Sequence, residues 1–239
     1  MKAADIRVVA VERLDLRFEP RDWPWAEANR AFIGRHFEQE REKRPLLWNG
    51  RVLLLHRFAI EAGVFHGAYL ETDFASFLAW RDAGFPDPSV RNCFAAGALR
   101  AVDGAFLLGR MSGHTANAGK VYFPAGTPDP GDVGADGAVD LMGSVLRELQ
   151  EETGLAANEV ASGPRWHAVL AGSRIGLMRP LRASEDSAKL ATRIRAFIAR
   201  EKEPELEDIM VVRGPADLVA EMPDFVRAYL ECEWADESR

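Results

Sequence analysis

Residues Arg147–Leu155 read R-E-L-Q-E-E-T-G-L, and no other stretch constrains the chain as strongly. On a helix each residue advances by about 100°, so Glu148, Glu151 and Glu152 share one arc of the surface. Met142, Val145, Leu146 and Leu149 form a separate stripe at i, i+3, i+4 and i+7. That stripe can bury against a sheet and leave the glutamates projecting from its flank. Arg147 precedes Glu151 by four residues, within reach of an ion pair that would fix a carboxylate. Gly154 stands where a helix ends in a left-handed residue. Three carboxylates on one face repel one another unless a cation neutralises them, and a hard divalent ion with oxygen ligands does so. Magnesium keeps positions open for water and phosphate oxygens, so such a face suits a diphosphate ligand. A solvated acidic helix is the plainer reading of the same pattern.

Around this helix the chain alternates strand-like and helix-like runs. Asp5–Phe18 reads as one strand, and residues 22–44 read as a helix with Asp22 as its cap and Pro24 in its first turn. Strands "GRVLLLHRFAI" and "GVFHGAYLE" follow. A helix over 72–84 is capped by Thr72 or Asp73 and closed by Gly84. The loop "FPDPSVRN" marks a boundary, which divides the chain into an N-terminal α/β extension over 1–90 and a second unit over 91–239. That unit opens with a hairpin signal, "CFAAGALRAVDGAFLLGRM". It continues through a short strand "VYF", a Pro/Gly/Asp-rich loop and the glutamate helix, whose cap is Asp140. Strands near "RWHAVLA" and "RIGLMRPLR" come next, then a helix capped by Ser184, the strand "DIMVVRG" and a last helix around "DFVRAYLECEWA".

Arg147-Glu148-Leu149-x-Glu151-Glu152-x-Gly154-Leu155 matches every fixed position of R-E-U-x-E-E-x-G-U, the second half of the Nudix box, where U is a bulky aliphatic residue. The chain thus resembles a Nudix hydrolase. The first half of the box departs from the pattern, because Val133 and Val139 occupy the expected Gly and Glu slots. A better register lies in "YFPAGTPDPGD", with Gly126, five residues, then Asp132 in place of Glu. Fourteen residues then separate Asp132 from Arg147 instead of seven, which implies a seven-residue insertion, "VGADGAV" or nearby. The resemblance implies an α/β/α sandwich around a mixed sheet, with the N-terminal extension packed on it. It implies that Glu148, Glu151 and Glu152 hold Mg2+ or Mn2+, that Glu148 or Glu152 helps deprotonate the attacking water, and that Arg147 orients them. Gly126 and Asp132 are further candidates for the metal site, and Asp132 reads equally as a turn residue. Many such enzymes recruit another acidic side chain from a later loop, and Glu205 or Glu207 of "EKEPELEDIMVV" are the candidates here, beside Glu203 and Asp208. Arg110, His114, Asn117 and Lys120 are candidates for touching substrate, with surface loop residues as the alternative. The order of the N-terminal runs is similar to the branch containing eukaryotic UDP-glucose and UDP-galactose pyrophosphatases, which implies a nucleotide-sugar substrate. Coenzyme A or ADP-ribose pyrophosphatase activity, and a nucleotide-binding module with weak turnover, remain open alternatives.

Composition narrows the partners. The 239 residues are 47% hydrophobic, enough for a large core, and the formal charge of −7 provides no footprint for a nucleic-acid backbone or an anionic membrane surface. The expected partner is a small nucleoside diphosphate derivative. Homodimers are frequent in the family that the chain resembles. The N-terminus lacks a signal-peptide pattern, and Cys93 and Cys232 have no metal or disulfide spacing, so a cytoplasmic protein with reduced thiols is expected. Trp23, Trp25, Trp48, Phe74, Phe77 and Trp80 read as core rather than as a base-stacking platform.

Overall fold

The structure is a computed structural model that describes residues 6–237; Asp5, the expected start of the first strand, lies outside them. Its elements are, in chain order, β1 (Arg7–Val11), β2 (Arg13–Phe18), α1 (Pro24–Ala28), α2 (Arg30–Lys43), β3 (Arg51–Glu61), β4 (Val64–Asp73), α3 (Phe74–Asp82), β5 (Asn92–Arg100), β6 (Phe106–Met111), β7 (Val121–Tyr122) and β8 (Ala125–Gly126). Then follow α4 (Leu141–Thr153), β9 (Val160–Ser162), β10 (Trp166–Ala171), β11 (Arg174–Ala183), α5 (Ser187–Ile198), β12 (Leu206–Val212) and α6 (Asp224–Glu237).

Among the described residues nine strands form a mixed sheet with the central order β1-β10-β11-β5-β6-β12, in which β5 and β11 run parallel and the other pairs antiparallel. Strand β5 explains the unbroken apolar run "CFAAGAL", since both of its faces are covered. Cys93, Ala95 and Leu99 pack with Val145 and Leu149 of α4 and with Leu190 and Ile194 of α5. Phe94, Ala96 and Ala98 point the other way, toward Phe225, Val226 and Tyr229 of α6. The α/β/α sandwich follows from this alternation. A second sheet, β2-β4-β3, has α1 to α3 on one face through Trp23, Phe37, Leu70 and Trp80. Its other face gives Leu16, Leu53, Phe65 and Tyr69 to the core that α4 shares. Residues Leu55 and Arg91 exchange backbone hydrogen bonds across the junction, at 2.7 and 3.0 Å.

Several local expectations are corrected. The first strand is two: the chain bends at Glu12, so β1 pairs with β10 in the large sheet and β2 with β4 in the small one. The helix expected over 22–44 breaks at Asn29, whose carboxamide returns to the Trp25 carbonyl at 2.7 Å, and its N-cap is Trp23 rather than Asp22. Helix α5 is capped by Asp186, not Ser184, through the Lys189 amide at 2.9 Å. The hairpin of β5 and β6 pairs only at Arg100 and Phe106, because beyond that point β5 takes β8 and β6 takes β7.

The inserted residues 133–139 form a small closed loop. Val133 and Val139 are bridged, and Gly134 donates to the Ala138 carbonyl at 2.8 Å. The loop also joins β2, since Val139 donates to the Leu16 carbonyl at 3.0 Å and Phe18 to that of Gly137 at 2.9 Å. Because the loop returns to its origin, the Asp140 amide bonds the Asp132 carbonyl at 2.8 Å. Asp132 therefore reaches the start of α4 despite the insertion.

At the other end of α4, Gly154 has φ +72°, and a Cβ built there would lie 2.5 Å from the Phe197 ring. Gly154→Ala should cost at least about 1 kcal/mol from its left-handed backbone alone, with the ring contact adding to it. Urea unfolding measures that loss.

Candidate active site

Helix α4 is held at both ends by local chemistry. The Asp140 side chain accepts from the Gly143 amide at 2.9 Å, and the left-handed Gly154 closes the last turn. Val145 and Leu149 are fully buried, so the helix cannot rotate to send its glutamates elsewhere. Glu148, Glu151 and Glu152 line one pocket, and the loop before β12 brings Glu201, Glu203 and Glu205 to its far wall. That loop is pinned: Ser112 donates from its amide to the Glu205 carbonyl at 2.8 Å and from its hydroxyl to the Pro204 carbonyl at 2.6 Å.

The three helix carboxylates occupy different environments. Glu151 is exposed. Glu148 is largely buried and lies against Gly126, where any Cβ would collide with its carboxylate. Glu152 is buried; one oxygen accepts weakly from the Ala125 amide at 3.4 Å, and the other has no partner. Burial raises the Glu148 carboxyl to about 7, with Glu151 and Glu205 adding to the shift and Arg147 opposing it. Burial and the charges of Glu148 and Glu205 also push Glu152 well above the ordinary carboxylate range. Glu205 is raised by burial and by Glu151, and lowered by His114.

Arg147 does not pair with Glu151. Its guanidinium turns to Asp132, donating at 2.7 and 3.4 Å to the two carboxylate oxygens, and stands 3.8 Å from Glu148. The Asp132 side chain is 2% exposed and also accepts from the Asp129 amide at 3.1 Å. Asp132 is therefore the anchor of Arg147 and does not line the carboxylate pocket. Glu207 is also absent from that pocket: it sits on β12, 3.9 Å from Arg110, so these two candidates face each other. Asp208 pairs with Arg195 at 2.7 Å. Glu201, also in "EKEPELEDIMVV", is not among the sequence candidates, yet it shares the wall with Glu203 and Glu205.

A larger cavity of about 410 Å³ lies on the other side of Ala125 and Gly126. Asn117 and Lys120 line it, whereas Arg110 and His114 do not. Its aromatic walls include Phe74 and Phe77 of α3, together with Phe94, Tyr122 and Phe225. Phe77 is also core, as its sequence suggested, but with Phe74 it shapes a cavity; Trp48 is 81% exposed and belongs to no core. Arg81 reaches over from α3 to the Asn117 carboxamide oxygen at 3.2 Å, while Asn117 donates to the Tyr122 hydroxyl at 3.0 Å.

No family model matches the sequence, and no curated protein matches it. Similar solved structures include a Nudix hydrolase from M. smegmatis, RenU, with 17% identity and a TM-score of 0.41 over 62% of this chain and 86% of that one. Others are the MutT protein from Methanosarcina mazei Go1, with 20% identity and a TM-score of 0.41 over 62% and 96%, and a C. elegans Ap4A hydrolase in a binary complex, with 16% and 0.38 over 60% and 98%. At these values the likenesses carry no argument about chemistry, which has to stand on the site itself.

The raised carboxyls set a pH dependence. Unfolded, Glu148 would titrate near 4.5 and folded it titrates at about 7, so between these values the folded state holds a proton that the unfolded state has lost. Stability should fall as pH rises through that window, by on the order of 3 kcal/mol for Glu148, and the penalty is complete above pH 7. Melting the metal-free protein at pH 5.5 and pH 8 checks the sign, and Glu152→Gln should flatten the curve.

Proposed function

We propose that the chain is a hydrolase that splits the phosphoanhydride of a nucleoside diphosphate linked to another group, with Mg2+ or Mn2+ held by Glu148, Glu151, Glu152 and Glu205. The observation carrying this reading is the buried Glu152, which has one unpartnered oxygen and faces further carboxylates across the same pocket. An uncompensated buried charge is costly, and like charges make it worse. The donor set fits a hard divalent ion, since every group offered is a carboxylate oxygen. Among the described residues no three such groups stand together at a cation-holding geometry, and the ion's charge would relieve the mutual repulsion that raises Glu148 and Glu152. When bound, the ion would polarise the phosphorus centre and lower the pKa of a bound water.

The chain's own residues complete the proposal. Arg147, braced by Asp132, keeps Glu148 at the boundary with the aromatic cavity, where it can take a proton from water attacking a ligand held beside Gly126. Lys120 and Arg81 would neutralise phosphate oxygens, and the aromatic walls would enclose the nucleoside. Within this class a nucleotide sugar is the substrate that the order of the N-terminal runs favours. The insertion before α4 and Val139 in the expected Glu slot support a second reading, a nucleotide-binding module that does not turn its ligand over.

Glu152→Gln should reduce Mg2+-dependent release of phosphomonoesters from a panel of nucleoside diphosphate derivatives by roughly 10²–10⁴-fold. Its metal-free melting temperature at pH 8 should be unchanged or higher, because a neutral amide replaces a crowded buried acid. Undiminished turnover in this variant would exclude the assignment. A wild-type protein that is stabilised by these ligands but releases no product supports the binding module.

A further inference from the structure

The cavity beside the carboxylates has a charged group at its remote end. Arg174 opens β11 and lies in register with Asn92, at the start of β5, while Gly126 of β8 pairs with Ala95. Strands β8 and β11 flank β5 on opposite sides, so two strand spacings, about 10 Å, and three residues along the strand, about 10 Å more, separate them. Arg174 is therefore about 14 Å from the glycine on which Glu148 rests.

Its surroundings do not neutralise it. Among the described residues no carboxylate reaches ion-pair distance of Arg174, although Asp224 lines the same cavity. The guanidinium stands 5.8 Å from the centre of the Phe225 ring, which steadies its plane without satisfying its donors. Asn92, at the same end, has a buried carboxamide oxygen with no partner, an acceptor open to a hydroxyl or N–H of the same ligand. Arg174 is half-buried in the cavity wall with no acidic partner among the described residues, which leaves its donors free for an anionic group on a ligand. Its planar fork suits a phosphate or a carboxylate.

We propose that Arg174 binds a second anionic group on the substrate, remote from the phosphoanhydride, and so selects nucleotide derivatives that carry an extra phosphate or carboxylate. This rests on the diphosphate reading above for the position of the scissile bond, but the binding of the anion does not. Titrations of the full chain with adenosine 3′,5′-bisphosphate against adenosine 5′-monophosphate, and with UDP-glucuronate against UDP-glucose, separate the phosphate from the carboxylate source. In at least one pair the more anionic member should bind about tenfold tighter, a difference matching one charge-assisted contact. Arg174→Gln should abolish that preference while leaving the affinity for the less anionic member within about twofold, and Arg174→Lys should keep part of it. Equal affinities in both pairs for the wild type, a preference that survives Arg174→Gln, an equal loss on both members or no binding of any probe would each overturn the proposal. A preference that is present and lost in Arg174→Gln, in a protein without turnover, would instead overturn only the hydrolase reading.

Discussion

Asp132 and Arg147 form the contact on which the geometry of the site depends. One buried carboxylate receives the guanidinium at 2.7 and 3.4 Å and the Asp129 amide at 3.1 Å, while the carbonyl of the same residue receives the Asp140 amide at 2.8 Å. The loop leaving β8 is thereby tied to the first turn and to the middle of α4. Gly126 can then lie against Glu148 with no room for a side chain between them. Replacing the aspartate would release an arginine and a helix together, so its effect would spread beyond a single ion pair.

The opposing constraint is electrostatic. Glu152 is buried and Glu148 largely so, with Glu205 across the pocket; Glu151 and Glu205 raise the proton affinity of both, and Glu148 raises that of Glu152. Nothing in folding requires that arrangement. The α4 stripe of Val145 and Leu149 fills the core, and this apolar packing holds the acids where they would not settle by themselves. Buried, crowded acids of this kind are a common feature of functional sites.

The two sheets bear differently on the site. The large sheet carries α4, the loop of Glu205 and the floor of the cavity, whereas the small sheet contributes α3, with Phe74, Phe77 and Arg81 as one wall. The closed loop of residues 133–139 is the stitch between them, since it bonds β2 at Leu16 and Phe18. An insertion that looked like an interruption of the motif therefore also fastens the small sheet to the start of α4.

Sequence by itself determined the local chemistry. Helical spacing put three glutamates on one face and four apolar residues on another, and Gly154 ended the helix, because each of these depends on a few neighbouring residues. A continuous apolar run ending at the turn "VDG" likewise made β5 legible as a strand, although not which helices would cover its faces. Tertiary structure alone decided the partners. Arg147 turned to Asp132 and not to its helical neighbour Glu151, because a buried carboxylate offers two acceptors out of water and an exposed one competes with solvent. It also brought Glu201, Glu203 and Glu205 across from α4, separated Glu207 from the pocket, and set Arg174 at the far end of the cavity. Those juxtapositions come from strand order and register, in which a shift of one residue turns every side chain to the opposite face.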